Sequence, residues 1–84
     1  MKIMKRIDKA LITRKLNSYL KKGSKILSLN FRAYNILLVP GSNKIIFKTT
    51  GFKEPLSAKR ISDYFVENGC FSEFYQLVRD SVRV

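Results

Sequence analysis

The chain has 84 residues, enough for one hydrophobic core and too few for two. Seventeen Lys and Arg against six Asp and Glu give a formal charge of +11, yet 45% of the residues are hydrophobic, too many for a disordered basic tail. One cysteine and no histidine exclude a disulfide framework, an ordinary zinc or iron–sulfur site and every Ser–His or Cys–His nucleophile pair, so no cofactor is expected.

Residues 1–6 fall off the apolar face that follows and read as a basic arm or a short edge strand. A first helix is expected over 8–22. Asp8 can cap its free N–H groups, and Ile7 and Ile12 stand at the spacing of a hydrophobic staple. Leu11, Ile12, Leu16, Tyr19 and Leu20 make its apolar face, with Arg14, Asn17, Ser18 and Lys21 opposite. Gly23 is expected to end it in the left-handed region, beside Lys21 and Lys22 at the negative end of the helix dipole.

From Lys25 the period changes to two, which predicts a three-stranded sheet over 25–50. Leu27, Leu29 and Phe31 alternate with Ser28, Asn30 and Arg32. A second strand covers Asn35 to Val39, and Arg32-Ala33-Tyr34 lacks turn residues, so one bent strand is an alternative to two. Pro40-Gly41-Ser42-Asn43 is a turn signal. In the third strand Ile45 and Phe47 point inward, with Lys44, Ile46 and Lys48 on the other face. Gly51 to Pro55 reads as a loop. Two helices follow over 57–83. Ser57 caps the first, with Ala58, Ile61, Tyr64 and Phe65 as its buried stripe, and Asn68-Gly69 closes it. Ser72 caps the second, on which Phe74, Tyr75, Leu77, Val78 and Val82 are apolar. The fold class expected is α+β, a single small domain in the order α-β-β-β-α-α, with helices on one face of a three-stranded antiparallel sheet.

Charge is divided unevenly along the chain. Residues 1–60 hold fifteen of the cations and only Asp8 and Glu54 as acids, a balance of +13, whereas residues 61–84 balance to −2. The first two-thirds therefore attract polyanions, and the last third suits neutral packing or self-association. The expected phosphate-contacting residues are Arg14, Lys21, Lys22 and Lys25 on and after the first helix, and Arg32, Lys44 and Lys48 on the outer sheet face. Ser28, Asn30 and Thr50 would accompany them on the sheet. Lys59 and Arg60 join the set because cations in a first helical turn oppose the dipole, a local cost that hints at a use. Cations mixed with amides and hydroxyls suit phosphate and sugar contacts that position a nucleic acid.

The two C-terminal helices around Asn68-Gly69-Cys70 invite a helix-turn-helix reading, in which Ser72, Gln76 and Arg79 would read bases. Phe65 crowds the turn, and Glu73 and Asp80 would repel phosphate, so that reading is set aside. The expected layout is similar to small RNA-binding folds, namely the double-stranded RNA-binding domain and the small Alu-binding subunits of the signal recognition particle. The resemblance rests on element order alone. The Lys-rich helix N-terminus and Gly-Pro-x-His loop of the double-stranded RNA-binding domain are missing.

No glycine-rich phosphate loop or pair of carboxylates at catalytic spacing occurs, so an enzyme is not expected. The start is basic without an apolar stretch behind it, no run approaches a membrane span, and an unpaired Cys70 suits a reducing compartment. A cytoplasmic location without membrane association is the expectation. The function expected is non-catalytic nucleic-acid binding, RNA slightly favoured over DNA. A homodimer through the C-terminal helix would accompany it. The alternative is a small adaptor or inhibitor, of the kind phages and plasmids encode, that docks on an acidic protein partner through Phe74 and Tyr75.

Overall fold

A computed structural model of the protein describes residues 6–82, with side chains from Asp8 onward. Its elements in chain order are α1 (Arg6–Lys22), β1 (Leu27–Phe31), β2 (Tyr34–Leu38), β3 (Ile45–Thr49), β4 (Phe52–Leu56), α2 (Ala58–Glu67) and α3 (Phe71–Ser81). The class is α+β. The sheet is an antiparallel meander of four strands in the order β1-β2-β3-β4, not three. The added strand turns the order into α-β-β-β-β-α-α and departs from the layout shared with the RNA-binding folds named above.

The segment read as a loop is β4. Its residues Phe52, Lys53, Glu54 and Pro55 are all exposed, so the strand carries no alternation to detect. Proline is tolerated there for a geometric reason. The two-residue turn Thr50-Gly51 makes Thr49 and Phe52 the hydrogen-bonded pair, and the pairs alternate from there. Pro55, opposite Ile46, then falls where the missing N–H would point away from the sheet. The proposed single bent strand is also replaced. Phe31 pairs with Tyr34 across a two-residue turn of Arg32 and Ala33, and Arg32 takes φ +51° to make it.

Several boundaries move. Helix α1 already includes Arg6, so Asp8 lies in its first turn, where a carboxylate favours the dipole, instead of capping it. The proposed arm lies outside the described residues except for Arg6, which is helical, and the staple rests on an Ile7 side chain that is also outside them. Ile12, Leu16, Tyr19 and Leu20 are buried as expected, whereas Leu11 is 47% exposed. Ser57 does cap α2, its Oγ accepting from the Arg60 N–H at 3.3 Å. Ser72 does not cap α3. Gly69, at φ +71°, redirects the chain so that the helix starts at Phe71 with Cys70 in the capping position and no side-chain cap.

Gly23 is not left-handed; it is required by close approach. A Cβ there would lie 2.7 Å from the Tyr19 carbonyl oxygen and 2.8 Å from its ring. That ring is held down by its hydroxyl, which donates to the Lys25 carbonyl at 2.7 Å. Gly23→Ala is therefore expected to destabilise the fold by about 1–2 kcal/mol, the overpacking cost outweighing the smaller gain from a stiffer unfolded chain. Urea unfolding checks this, with Tyr19→Phe expected to lose about 1 kcal/mol by itself. A stabilised Gly23→Ala variant would remove the close contact from the account.

The helices cover one face of the sheet. Leu29, Ile36, Leu38, Ile45 and Phe47 are buried beneath them, together with Leu16, Ile61, Phe65, Phe74 and Val78 from the helices. Phe65 is the hub, its ring within 4.5–5.7 Å of Phe31, Tyr34, Phe47, Tyr64 and Phe74. The opposite sheet face is left open and carries Ser28, Asn30, Lys48 and Lys53, all exposed.

Candidate nucleic-acid interface

A helix turns about 100° per residue, so neighbours in sequence diverge and residues three, four and seven apart converge. Arg14, Asn17, Ser18 and Lys21 accordingly share the outward face of α1. Two grooves flank that ridge. One, of about 750 Å³ between α1 and α2, is lined by Arg14, Asn17, Ser18, Lys21 and Lys59. The other, of about 630 Å³ between α1 and α3, is lined by Arg14, Lys15, Ser18, Tyr75 and Arg79. Arg14 and Ser18 belong to both, and among the described residues no carboxylate lines either. Asn17 and Lys21 also extend the surface to the loop at Gly41, Ser42 and Asn43. That loop is anchored by the Gly41 N–H, which donates to the Leu20 carbonyl at 2.7 Å and so satisfies one end of α1.

The α1–α2 groove is held by two contacts. Buried Ser62 meets Thr13 through their hydroxyls at 3.1 Å, and Lys9 donates to the Asp63 carboxylate. Lys9 holds that carboxyl below the usual carboxylate range through the hydrogen bond; partial burial opposes this, and the charges of Lys9, Lys59 and Arg60 reinforce it. A depressed carboxyl contributes stability above its unfolded value, near 3.8, and loses it as pH falls through the lower folded value. Both side chains are about one-third exposed, so solvent limits the contribution to under about 1 kcal/mol. Asp63→Asn is expected to lower stability slightly at neutral pH and not at all once the wild-type carboxyl is protonated. Thermal melts of both proteins from neutral pH down to pH about 2 check this, since the curves should converge at the acid end.

The nine cations expected from sequence separate into groups. Arg14, Lys21 and Lys59 come together in the α1–α2 groove. Lys22 and Lys25 are exposed at and after the end of α1, and Lys44 is exposed beside the Gly41 loop. Lys48 stands on the outer sheet face, on the opposite side from the helical grooves, with Lys53 opposite it on β4. Arg32 leaves the sheet face altogether. Its Nε donates to Glu73 on α3 at 3.1 Å and a second guanidinium nitrogen donates to the other carboxylate oxygen. That bonding, followed by the charge of Glu73, raises the guanidinium above its ordinary pKa. Arg60 faces a different cleft, with Glu54, Asp63 and Glu67 around it. The polar sheet residues do converge: Asn35 donates to the Ser28 hydroxyl at 2.9 Å and to the Asn30 side-chain oxygen. Thr50 sits in the β3–β4 turn.

Three groove cations, Lys9, Lys15 and Arg79, are not among the nine, and Lys9 is the one of them paired with Asp63. Arg79 lies in a segment whose net charge hides it, and Lys15 is adjacent in sequence to the ridge residue Arg14. Of the expected protein contacts, Phe74 is 0% exposed with its ring 4.5 Å from Phe65, so it offers no surface. Tyr75 is half-buried and lines the α1–α3 groove. Burial pushes the Cys70 thiol up, which keeps it protonated and weakly nucleophilic. Among the described residues no cluster of three Cys, Asp or Glu is placed to hold a metal ion, and no helix is long and apolar enough to cross a membrane. Comparison with protein-family models, with curated proteins and with solved structures finds no match.

Proposed function

We propose that this protein is a non-catalytic nucleic-acid-binding domain that holds a duplex, RNA in preference to DNA, by its phosphates across α1. The observation that carries the reading is the pair of grooves on either side of the Arg14–Ser18 ridge, lined among the described residues by cations and no carboxylate. Arg14, Lys15, Lys21, Lys59 and Arg79 supply charge there, and Asn17 and Ser18 supply groups able to bond phosphate or a ribose hydroxyl. A duplex is favoured over a single strand because single-strand binding relies on exposed stacking rings. Here Phe31, Phe47, Phe65, Phe71 and Phe74 are packed against one another, and among the described aromatic side chains only Tyr75 lines either groove. RNA is favoured because recognition of its duplex depends on shape and backbone, which needs no base-reading helix.

Fluorescence anisotropy with single- and double-stranded RNA and DNA of matched length, over a salt series, tests the reading. Duplex binding that weakens with log salt at a slope of about −4 would match five cations engaging phosphates. Flat, weak binding to all four ligands would overturn it. The outer sheet face favours the adaptor reading instead, because Leu37, Ile46 and Pro55 lie there among Lys48 and Lys53. An apolar row flanked by cations fits an acidic protein partner. In that case Lys48→Glu with Lys53→Glu removes the activity and leaves nucleic-acid affinity unchanged.

A further inference from the structure

We infer that β1 is a self-pairing edge, through which two copies of this chain join their sheets into one. The two edges of the sheet are built differently. Phe31 and Tyr34 flank a two-residue turn and form the hydrogen-bonded pair, and the pairs alternate from there. Leu27, Leu29 and Phe31 therefore spend their N–H and C=O groups on β2, and Ser28 and Asn30 turn theirs outward. Among the described residues neither has a backbone partner on that side. The same alternation on β4 makes Lys53 and Pro55 the outward positions. A lysine and a proline are two of the ordinary devices that block edge pairing. β1, Leu-Ser-Leu-Asn-Phe, has no charge and no proline, and its register is unbroken.

The chemistry of the edge selects a second copy. Antiparallel pairing centred on Leu29 places Ser28 opposite Asn30 of the other copy and Asn30 opposite its Ser28, so every outward backbone group finds a partner. On the inner face Leu27, half-buried, meets the half-buried Phe31 of the other copy. On the outer face the polar cluster of Ser28, Asn30 and Asn35 continues across the join. Charge points the same way. The neighbouring helix α3 carries Glu73 and Asp80 against Arg79, and Glu73 already neutralises Arg32 at the end of β1. In a chain of net charge +11 these carboxylates lower the repulsion between two copies that meet on this flank. An acidic strand would find no cation on β1 to select it. The β1 edge is preferred to the C-terminal helix as the dimer contact, because Phe71, Phe74 and Val78 of α3 are buried in their own core.

Sedimentation of the nuclease-treated, full-length protein in high salt, from micromolar to millimolar concentration, tests the inference. The expected result is a concentration-dependent shift from 9.8 kDa to twice that mass. Hydrogen exchange at the Ser28 and Asn30 amides should slow over the same range. Ser28→Pro removes an outward N–H without touching the β1–β2 ladder, and Asn30→Lys adds a charge at the join; each is expected to abolish the dimer. Lys53→Glu, at the opposite edge, should leave it intact. Thermal melts establish that each variant folds, and the two β1 variants act by different routes, so failure of one leaves the other as the test. A mass of 9.8 kDa at every concentration overturns the inference, as does a dimer that survives a folded β1 variant.

Discussion

Reversing Arg14, Lys21 and Lys59 together to glutamate is expected to abolish the proposed duplex binding, whereas reversing Lys48 and Lys53 is expected to leave the affinity within about twofold. The first three share one groove and the second pair stands on the far side of the sheet. A rigid duplex engaging the helical face cannot also reach the outer sheet face, because the sheet lies between them. Replacing the same three residues by glutamine gives a graded version. Each phosphate no longer neutralised should reduce the salt slope by about 0.9, so the slope falls by about 2–3 in all. Arg14, Lys21 and Lys59 are exposed, so melting temperature should hardly move. If the sheet-face pair loses binding and the groove variant keeps it, the assignment of the interface to α1 is wrong.

Phe65→Ala is expected to be strongly destabilising, removing a large share of the total stability. Phe65 is fully buried and its ring touches five others, drawn from β1, β2, β3, α2 and α3. Truncating such a residue costs about 3–5 kcal/mol, from the transfer energy of the removed ring plus the cavity left behind. A domain of this length has a total stability of only about 4–13 kcal/mol. Phe65→Leu fills most of the space and should cost roughly half as much. Phe52→Ser, at a ring that is 42% exposed on β4, should cost under about 1 kcal/mol. Guanidinium unfolding ranks the three. A Phe65→Ala protein within about 1 kcal/mol of wild type would mean that the aromatic cluster is not what joins the helices to the sheet.

Much of the fold was legible because its signals are local. The helical spacing of Ile12, Leu16, Tyr19 and Leu20, the alternation through Leu27, Leu29 and Phe31, and the Ser57 cap each arise within a few residues of chain. β4 was not legible, because an edge strand with an exposed face buries too little to impose alternation on its sequence. Gly23 looked like any helix-ending glycine, and only the position of the Tyr19 ring shows that space, not backbone sign, demands it. Ser72 looked like a cap because its short acceptor precedes an apolar helix, but the turn at Gly69 starts that helix two residues earlier.

The same division runs through the interface. The amino-acid sequence by itself determined the excess of cations, their concentration in the first two-thirds, and the four polar residues that share one face of α1. Only the tertiary structure decided which cations are available. Arg32 is paired with Glu73, forty-one residues away, and Lys9 with Asp63, fifty-four residues away. Adjacent Lys59 and Arg60 turn to grooves of opposite character, and Arg79 joins Arg14 from the other end of the chain. Attraction between charges depends on their separation in space, which sequence distance does not record.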